Sequence, residues 1–232
     1  RIEEPAIFAL NHNNALETVV VPAALFFHRR GRPIAFVVDW MFLRIPLIGW
    51  LLGHGDPIPV YTKPARWRLF ERERRRRKAA EGSVLDRCRR ALAEGRSIGI
   101  FPEGARNRSA ERLGAGRAGL GRLVLATGAP VIPVGIDFPA RERLGRVPRV
   151  GRLRITVGEP LRFDDVRPDA PGSAIRDDAR PARALHSMAR AIVHTVLVRL
   201  GALCGKEPPE RGARPIRRSR ETGTTHRREV RT

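Results

Sequence analysis

Ala6-Ile7-Phe8-Ala9-Leu10-Asn11-His12-Asn13-Asn14-Ala15-Leu16-Glu17 runs from a continuous apolar segment, through four polar residues, into a second apolar segment. The first five residues have the length and content of a strand buried on both faces. Asn14, with Glu17 three residues on, reads as a helix start, and residues 15–28 continue as a largely apolar helix. A buried strand that turns straight into a helix is half of a βαβ unit, and the rest of the chain repeats the alternation. Residues 33–38, 57–61, 97–101 and 131–136 read as short strands, and 150–157 alternates like a later one. Residues 84–93 (closed by Gly95), 116–127 (ending at Gly128) and 184–200 read as helices. The expected class is α/β, with a largely parallel or mixed central sheet flanked by helices.

The length of 232 residues suits one such domain or at most two small ones, and a hydrophobic fraction of 42% supplies a packed core. Lys and Arg total 45 against 24 Asp and Glu, a net charge of +21, and only Lys63, Lys78 and Lys206 are lysines. Such a surplus attracts polyanions, whether nucleic acid, an anionic membrane face or phosphorylated substrates. Codon bias toward Arg, Ala and Gly explains it equally well, so charge alone names no function. Cys88 and Cys204 stand far apart without metal-ligand spacing, which argues against a disulfide scaffold and a structural zinc site. Residues 205–232 lose apolar periodicity, so the reading is a domain over 1–204 followed by a basic disordered tail. Arg1 lies just before a strand, so upstream residues are expected beyond it, and any signal or anchor would lie there.

No run reaches the ~18 uncharged apolar residues of a membrane-spanning helix. The most apolar segment, 40–52, is bracketed by Trp40 and Trp50, and Trp67 opens a basic cluster over 66–78. Aromatic residues beside arginine-rich surface suit a membrane interface. Trp40 and Trp50 fit core packing or the lining of an acyl tunnel equally well.

In parallel α/β folds, sites gather beyond the carboxyl ends of the strands. Two segments hold that position. In the first, a carboxylate from Glu17 on one imidazole nitrogen would leave the other nitrogen of His12 free as a general base. The plainer reading makes Asn14 and Glu17 a capping box and His12 a polar turn residue. The second is Phe101-Pro102-Glu103-Gly104-Ala105-Arg106-Asn107-Arg108-Ser109. There Gly104 permits close backbone approach and Arg106 can grip a phosphate, while Arg108 reads as an ordinary solvated residue.

The HxxxxE turn, the FPEGAR segment and Val131-Ile132-Pro133-Val134 together resemble, in order, the HxxxxD, FPEGxR and VxPV blocks of the glycerolipid acyltransferase family. That family includes the 1-acylglycerol-3-phosphate acyltransferases. Arg117-Ala118-Gly119 is similar to the family's K-x-G before a helix, and the likeness extends from about residue 6 to about residue 160. It implies a glycerol-3-phosphate acyltransferase-like fold and acyl transfer from acyl-CoA or acyl-carrier protein to a lysophospholipid hydroxyl. His12 would be the base and Glu17 its orienting acid. Glu103, Gly104 and Arg106 would bind the acceptor, with Pro133 shaping the acyl or thioester pocket. It also implies no cofactor beyond the thioester co-substrate, no metal, an anionic membrane surface as partner, and a peripheral place on the cytoplasmic side of the cell membrane. Two departures stand out. Glu17 replaces the usual Asp, and the strand of the second block lacks its terminal Arg, leaving Lys63, then Arg66, as substitutes. The competing classes are a basic nucleic-acid-binding protein, disfavoured by a single Tyr and no nucleic-acid module, and a non-catalytic relative of the acyltransferases.

Overall fold

The computed structural model describes residues 4–61, 68–166 and 181–210. Among these, six strands form one sheet: β1 (Ile7–Leu10), β2 (Ile34–Asp39), β3 (Ile58–Val60), β4 (Ser97–Ile100), β5 (Val131–Asp137) and β6 (Arg154–Val157). Their spatial order is β3-β2-β4-β1-β5-β6. All pairs are parallel except β5 with β6, which run antiparallel. Parallel neighbours need crossovers, and the helices supply them. They are α1 (Glu17–His28), α2 (Pro46–Gly53), α3 (Arg68–Glu81), α4 (Val84–Ala93), α5 (Gly119–Thr127), α6 (Arg141–Leu144) and α7 (Pro181–Cys204).

The alternation along β1 splits the core in two. Ile7 and Ala9 join α4, α5 and α7 through Ala91, Leu123, Val193 and Leu197. Phe8 and Leu10 join the other face with Val21 and Leu25 of α1, Phe36, Ile136 and Phe138. The expected α/β class therefore holds, with β1 central and β6 as the antiparallel edge. Of the described helices, α7 alone is long and apolar enough by composition to cross a membrane. Here Ala189, Ile192, Val196, Leu197 and Leu200 are buried against the sheet and α5, as in the core helix of a globular domain.

Several boundaries shift for physical reasons. The first helix begins at Glu17 because residues 13–16 are occupied by side-chain turns. The last strand shortens to Arg154–Val157, the stretch that pairs with β5. The apolar segment 40–52 divides into a 3-10 turn, Trp40–Arg44, and α2. The basic cluster is helical from Arg68 on, with Glu71 pairing Arg74 and Arg75 and with Glu73 pairing Arg77. The expected tail needs correction at its start, since residues 206 and 207 bond back onto the domain and Lys206 is buried. Residues 211–232 lie outside the described residues.

Candidate active site

At the end of β1 the backbone ladder to β5 is continued by a side chain. Asn11 Nδ2 donates to Ile136 O at 2.8 Å, and its Oδ1 accepts from the Ile136 N–H at 2.7 Å. One amide thus satisfies both groups of Ile136 and releases the main chain to turn at His12. The turn is then clamped by the loop after β4. The His12 N–H donates to Glu103 Oε1 at 3.0 Å, and His12 O accepts from the Asn107 N–H at 2.7 Å. The two segments singled out by sequence therefore meet, although 91 residues separate His12 from Glu103.

The His12 ring is equally constrained. Its Nδ1 lies 3.1 Å from Glu17 Oε2, and its face packs on Phe101 with ring centroids 4.4 Å apart. A carboxylate only accepts, so Nδ1 carries the proton and the neutral ring keeps its lone pair on Nε2. Glu17 is 0% exposed, whereas the His12 side chain is 17% exposed, which leaves the ring reachable from outside. Glu17 also accepts from the Asn13 N–H and from Asn13 Nδ2, both at 2.7 Å. The capping-box alternative fails on geometry: the carboxylate turns to Asn13, one residue before Asn14, and Asn14 Oδ1 accepts from Leu16. The longer Glu in place of Asp still reaches the imidazole.

Glu103 does not have the substrate-facing role expected of it. It is buried, and its second oxygen accepts from the Gly114 N–H at 2.7 Å. Burial pushes its carboxyl above the usual range, opposed by the His12 and Gly114 N–H groups, Asn107 and Lys206. A carboxylate committed to these donors braces the His12 turn, and its charge would repel a phosphate. Gly104 takes a left-handed φ of +64°. A Cβ there would come within 2.4 Å of Arg117 Nε, so the glycine lets the Arg117 side chain lie across the loop. Arg117 and Arg106 are both exposed and, among the described residues, neither guanidinium is paired with a carboxylate. Two free cations flanking one turn suit a phosphate. Arg108 instead donates to Val147 O at 2.9 Å and ties down a loop.

Pro133 is not brought to this constellation. It is buried in mid-strand opposite Ala9, packed near Gly158, with no surface for a substrate. Lys63 and Arg66 lie outside the described residues, as does Trp67. Trp40 is buried beside Tyr61, whereas Trp50 is 65% exposed. The two thiols are buried and pushed up to about 11 by that burial, which makes them poor nucleophiles. Among the described residues no cluster of His, Cys, Asp or Glu is arranged to hold a metal. Sequence reasoning missed Lys206, whose Nζ donates to Asn13 Oδ1 at 2.7 Å inside the site. The available signal was Gly205, a helix-stop residue that sends the chain back along the helix it ends.

Comparison with known proteins points the same way. The family model described as Acyltransferase matches residues 1–137. The chain is similar to the 1-acyl-sn-glycerol-3-phosphate acyltransferase LPAT1, chloroplastic, of Arabidopsis thaliana, at 25% identity over 132 residues, 57% of this chain and 32% of that protein. Its similarity to 1-acyl-sn-glycerol-3-phosphate acyltransferase BAT2, chloroplastic, of Brassica napus is 24% over 132 residues, 57% of this chain and 33% of the relative. The chain thus spans about a third of the length of the curated relatives it matches. Its fold resembles the crystal structure of the 1-acyl-sn-glycerophosphate (LPA) acyltransferase PlsC from Thermotoga maritima. That match has a TM-score of 0.52 and 18% identity, covering 86% of this chain and 66% of that one.

Proposed function

This chain belongs to the acyltransferase family, and from that premise we propose that it moves a fatty acyl group from a thioester to the hydroxyl of a lysophospholipid. The observation that carries the reading is the His12 Nδ1–Glu17 Oε2 contact of 3.1 Å, with the carboxylate buried and the imidazole partly exposed. In the proposed reaction Nε2 takes the proton of the acceptor hydroxyl as its oxygen attacks the thioester carbonyl. The C–S bond then breaks, the thiolate leaves and is protonated from His12, and the ester remains on the acceptor. Glu17 stabilises the imidazolium formed between the two steps. No covalent enzyme intermediate is required, in keeping with thiols that are buried and hard to ionise.

For the acceptor, 1-acylglycerol-3-phosphate fits best, its phosphate held by Arg106 and Arg117 beside Gly104. Acyl-CoA and acyl-carrier protein are the two donor classes. The enzyme would work peripherally on an anionic bilayer at the cytoplasmic side of the cell membrane. Support comes from the exposed Arg72, Arg75, Arg76, Arg77 and Lys78 of α3, the exposed Phe27 of α1 and Trp50 of α2, and the exposed Ile45 just before α2. Arg44 links these surfaces, stacking on Phe70 at 4.3 Å and pairing with Glu73.

The test supplies acyl-CoA or acyl-carrier protein with a panel of lysophospholipids and follows free thiol together with diacyl product. Thiol release that depends on a phosphate-bearing acceptor and on His12 is expected. A folded wild-type chain that consumes neither thioester with any acceptor would sink the reading.

A further inference from the structure

Lys206 stands just past the last helix, and the fold turns it inward. Gly205, with φ +62°, ends α7 in the left-handed conformation, and the Lys206 N–H returns to Gly201 O at 3.0 Å. This is the Schellman closure of a helix. Arg141 holds the turn from the other side, donating to Cys204 O and Gly205 O at 2.9 Å each while pairing with Asp137 at 2.8 Å. The next residue fastens the segment to the loop after β4. The Glu207 N–H donates to Glu111 O at 2.7 Å, and its O accepts from the Leu113 N–H at 2.8 Å.

Lys206 is therefore fixed in place and only 4% exposed. Its ammonium donates to Asn13 Oδ1 and to Ser109 O, both at 2.7 Å. An ammonium has no acceptor, so the Asn13 amide must turn its oxygen to Lys206 and its NH2 to Glu17 Oε1. Three hydrogen bonds then connect Lys206 to Asn13, Asn13 to Glu17, and Glu17 to His12. The charge balance agrees with the geometry. Glu17 and Glu103 are two buried carboxylates braced on the same turn, and the buried Lys206 ammonium stands next to Asn13 in that turn.

We propose that Lys206 is a positioning residue of the His12–Glu17 pair, the buried counter-cation that holds the Asn13 amide and balances the carboxylates of Glu17 and Glu103. This rests on reading His12 as the base. Burial pulls the Lys206 ammonium below its ordinary range, while Cys204, Glu103 and Glu17 favour its charge and Arg141 opposes it. Arg141 is itself committed to Asp137.

The test follows the His12 imidazole NMR signals against pH in wild type, Lys206→Met and Lys206→Arg, without substrate. Losing the cation makes the site more negative and favours imidazolium. The titration midpoint in Lys206→Met should rise by about one pH unit, and in Lys206→Arg it should stay near wild type. The acid limb of the kcat/KM profile should move with it, and turnover should fall roughly 10- to 100-fold, as when partners that orient a reactive group are removed. A midpoint that stays put or falls in Lys206→Met overturns the proposal, because a packing role would cost stability without raising it. If Lys206→Met does not fold, Lys206→Gln, which keeps NH2 donors for Asn13 Oδ1 and Ser109 O without the charge, decides by the same titration. A raised midpoint supports a counter-cation, and an unchanged one overturns it. The titration needs no turnover, so a wild type inert toward every thioester defeats the acyltransferase reading alone.

Discussion

The two ends of α1 invert the usual rules of solvation in opposite directions. Its first residue, Glu17, is a carboxylate that is 0% exposed, while near its last turn Phe27 is 78% exposed and Phe26 is exposed beside it. An unpaired buried carboxylate would cost several kcal/mol or would take up a proton. Glu17 is instead met by donors from His12 and twice from Asn13, so its partners lie inside the molecule. The two phenylalanine rings meet in a T-shaped contact, centroids 5.9 Å apart, that leaves Phe27 largely exposed and Phe26 partly so. A buried carboxylate with its donors supplied can hold the His12 ring in one orientation, whereas exposed aromatic rings leave apolar surface in contact with solvent. One twelve-residue helix carries both.

Changes at the buried end should be the most damaging. His12→Ala removes the proposed base and should lower acyl transfer by ~10²–10⁴ with a melting temperature close to wild type. The ring is partly exposed, and the backbone bonds to Glu103 and Asn107 survive the substitution. Near-normal turnover by a folded variant would move the chemistry elsewhere.

Glu17→Gln tests whether the buried end depends on charge. In a capping box Gln would serve as well as Glu. Here each oxygen faces donors, and an NH2 in place of either confronts Asn13 Nδ2 on one side or the Asn13 N–H and His12 Nδ1 on the other. A loss of about 1–3 kcal/mol in stability is expected, together with a sharp fall in kcat. Glu17→Asp keeps the charge with a shorter reach and should retain more activity than Gln. Chemical denaturation and turnover, measured on both, decide the matter. A Gln variant equal to wild type in rate would reduce Glu17 to a structural residue.

Arg106→Ala and Arg117→Ala act at the mouth of the site and should be milder. Charge-assisted hydrogen bonds are worth about 1.5–3 kcal/mol, so each change should raise the acceptor KM roughly 10- to 100-fold with a smaller effect on the donor. A rise in donor KM instead would place these cations on the thioester side.

How much of this the sequence revealed follows the same division between local and distant causes. The helix at Val84–Ala93 was legible to the residue because Ser83 caps it locally, accepting from the Asp86 N–H at 3.1 Å. The strands were legible from short apolar runs; the spacing of five residues allowed His12 to meet Glu17 but left a capping box open as well, and the resemblance to the acyltransferase blocks chose between them. Lys206 was not legible, because its partners Asn13 and Ser109 lie 193 and 97 residues away and its own neighbourhood reads as polar and irregular. Glu103 was found, but its task was mistaken. A motif places a carboxylate near a site without saying which way it faces, and here it faces the backbone of His12. Pro133 was mistaken for the same reason, since the side of a strand that meets substrate is set by the sheet as a whole.

The exposed end of α1 supports the smallest and most selective effect. If Phe27 inserts into a bilayer, Phe27→Ser removes apolar surface that is already solvated in the free protein, so folding should be unaffected. Removing most of one phenyl ring from a lipid contact forfeits about 1.5 kcal/mol, or roughly tenfold in partition coefficient. Cosedimentation with anionic vesicles should weaken by that factor, and turnover on a short-chain acceptor dispersed as monomers should not change. The basic helix acts differently, since each of its surface cations contributes about 1 kcal/mol only near an anionic membrane and is screened by salt. Added salt should therefore weaken binding of wild type and Phe27→Ser in the same proportion, because the ring's contribution is not electrostatic. If Phe27→Ser binds vesicles as tightly as wild type while salt still releases both, the membrane contact is arginine alone, and the exposed end of α1 is not part of it.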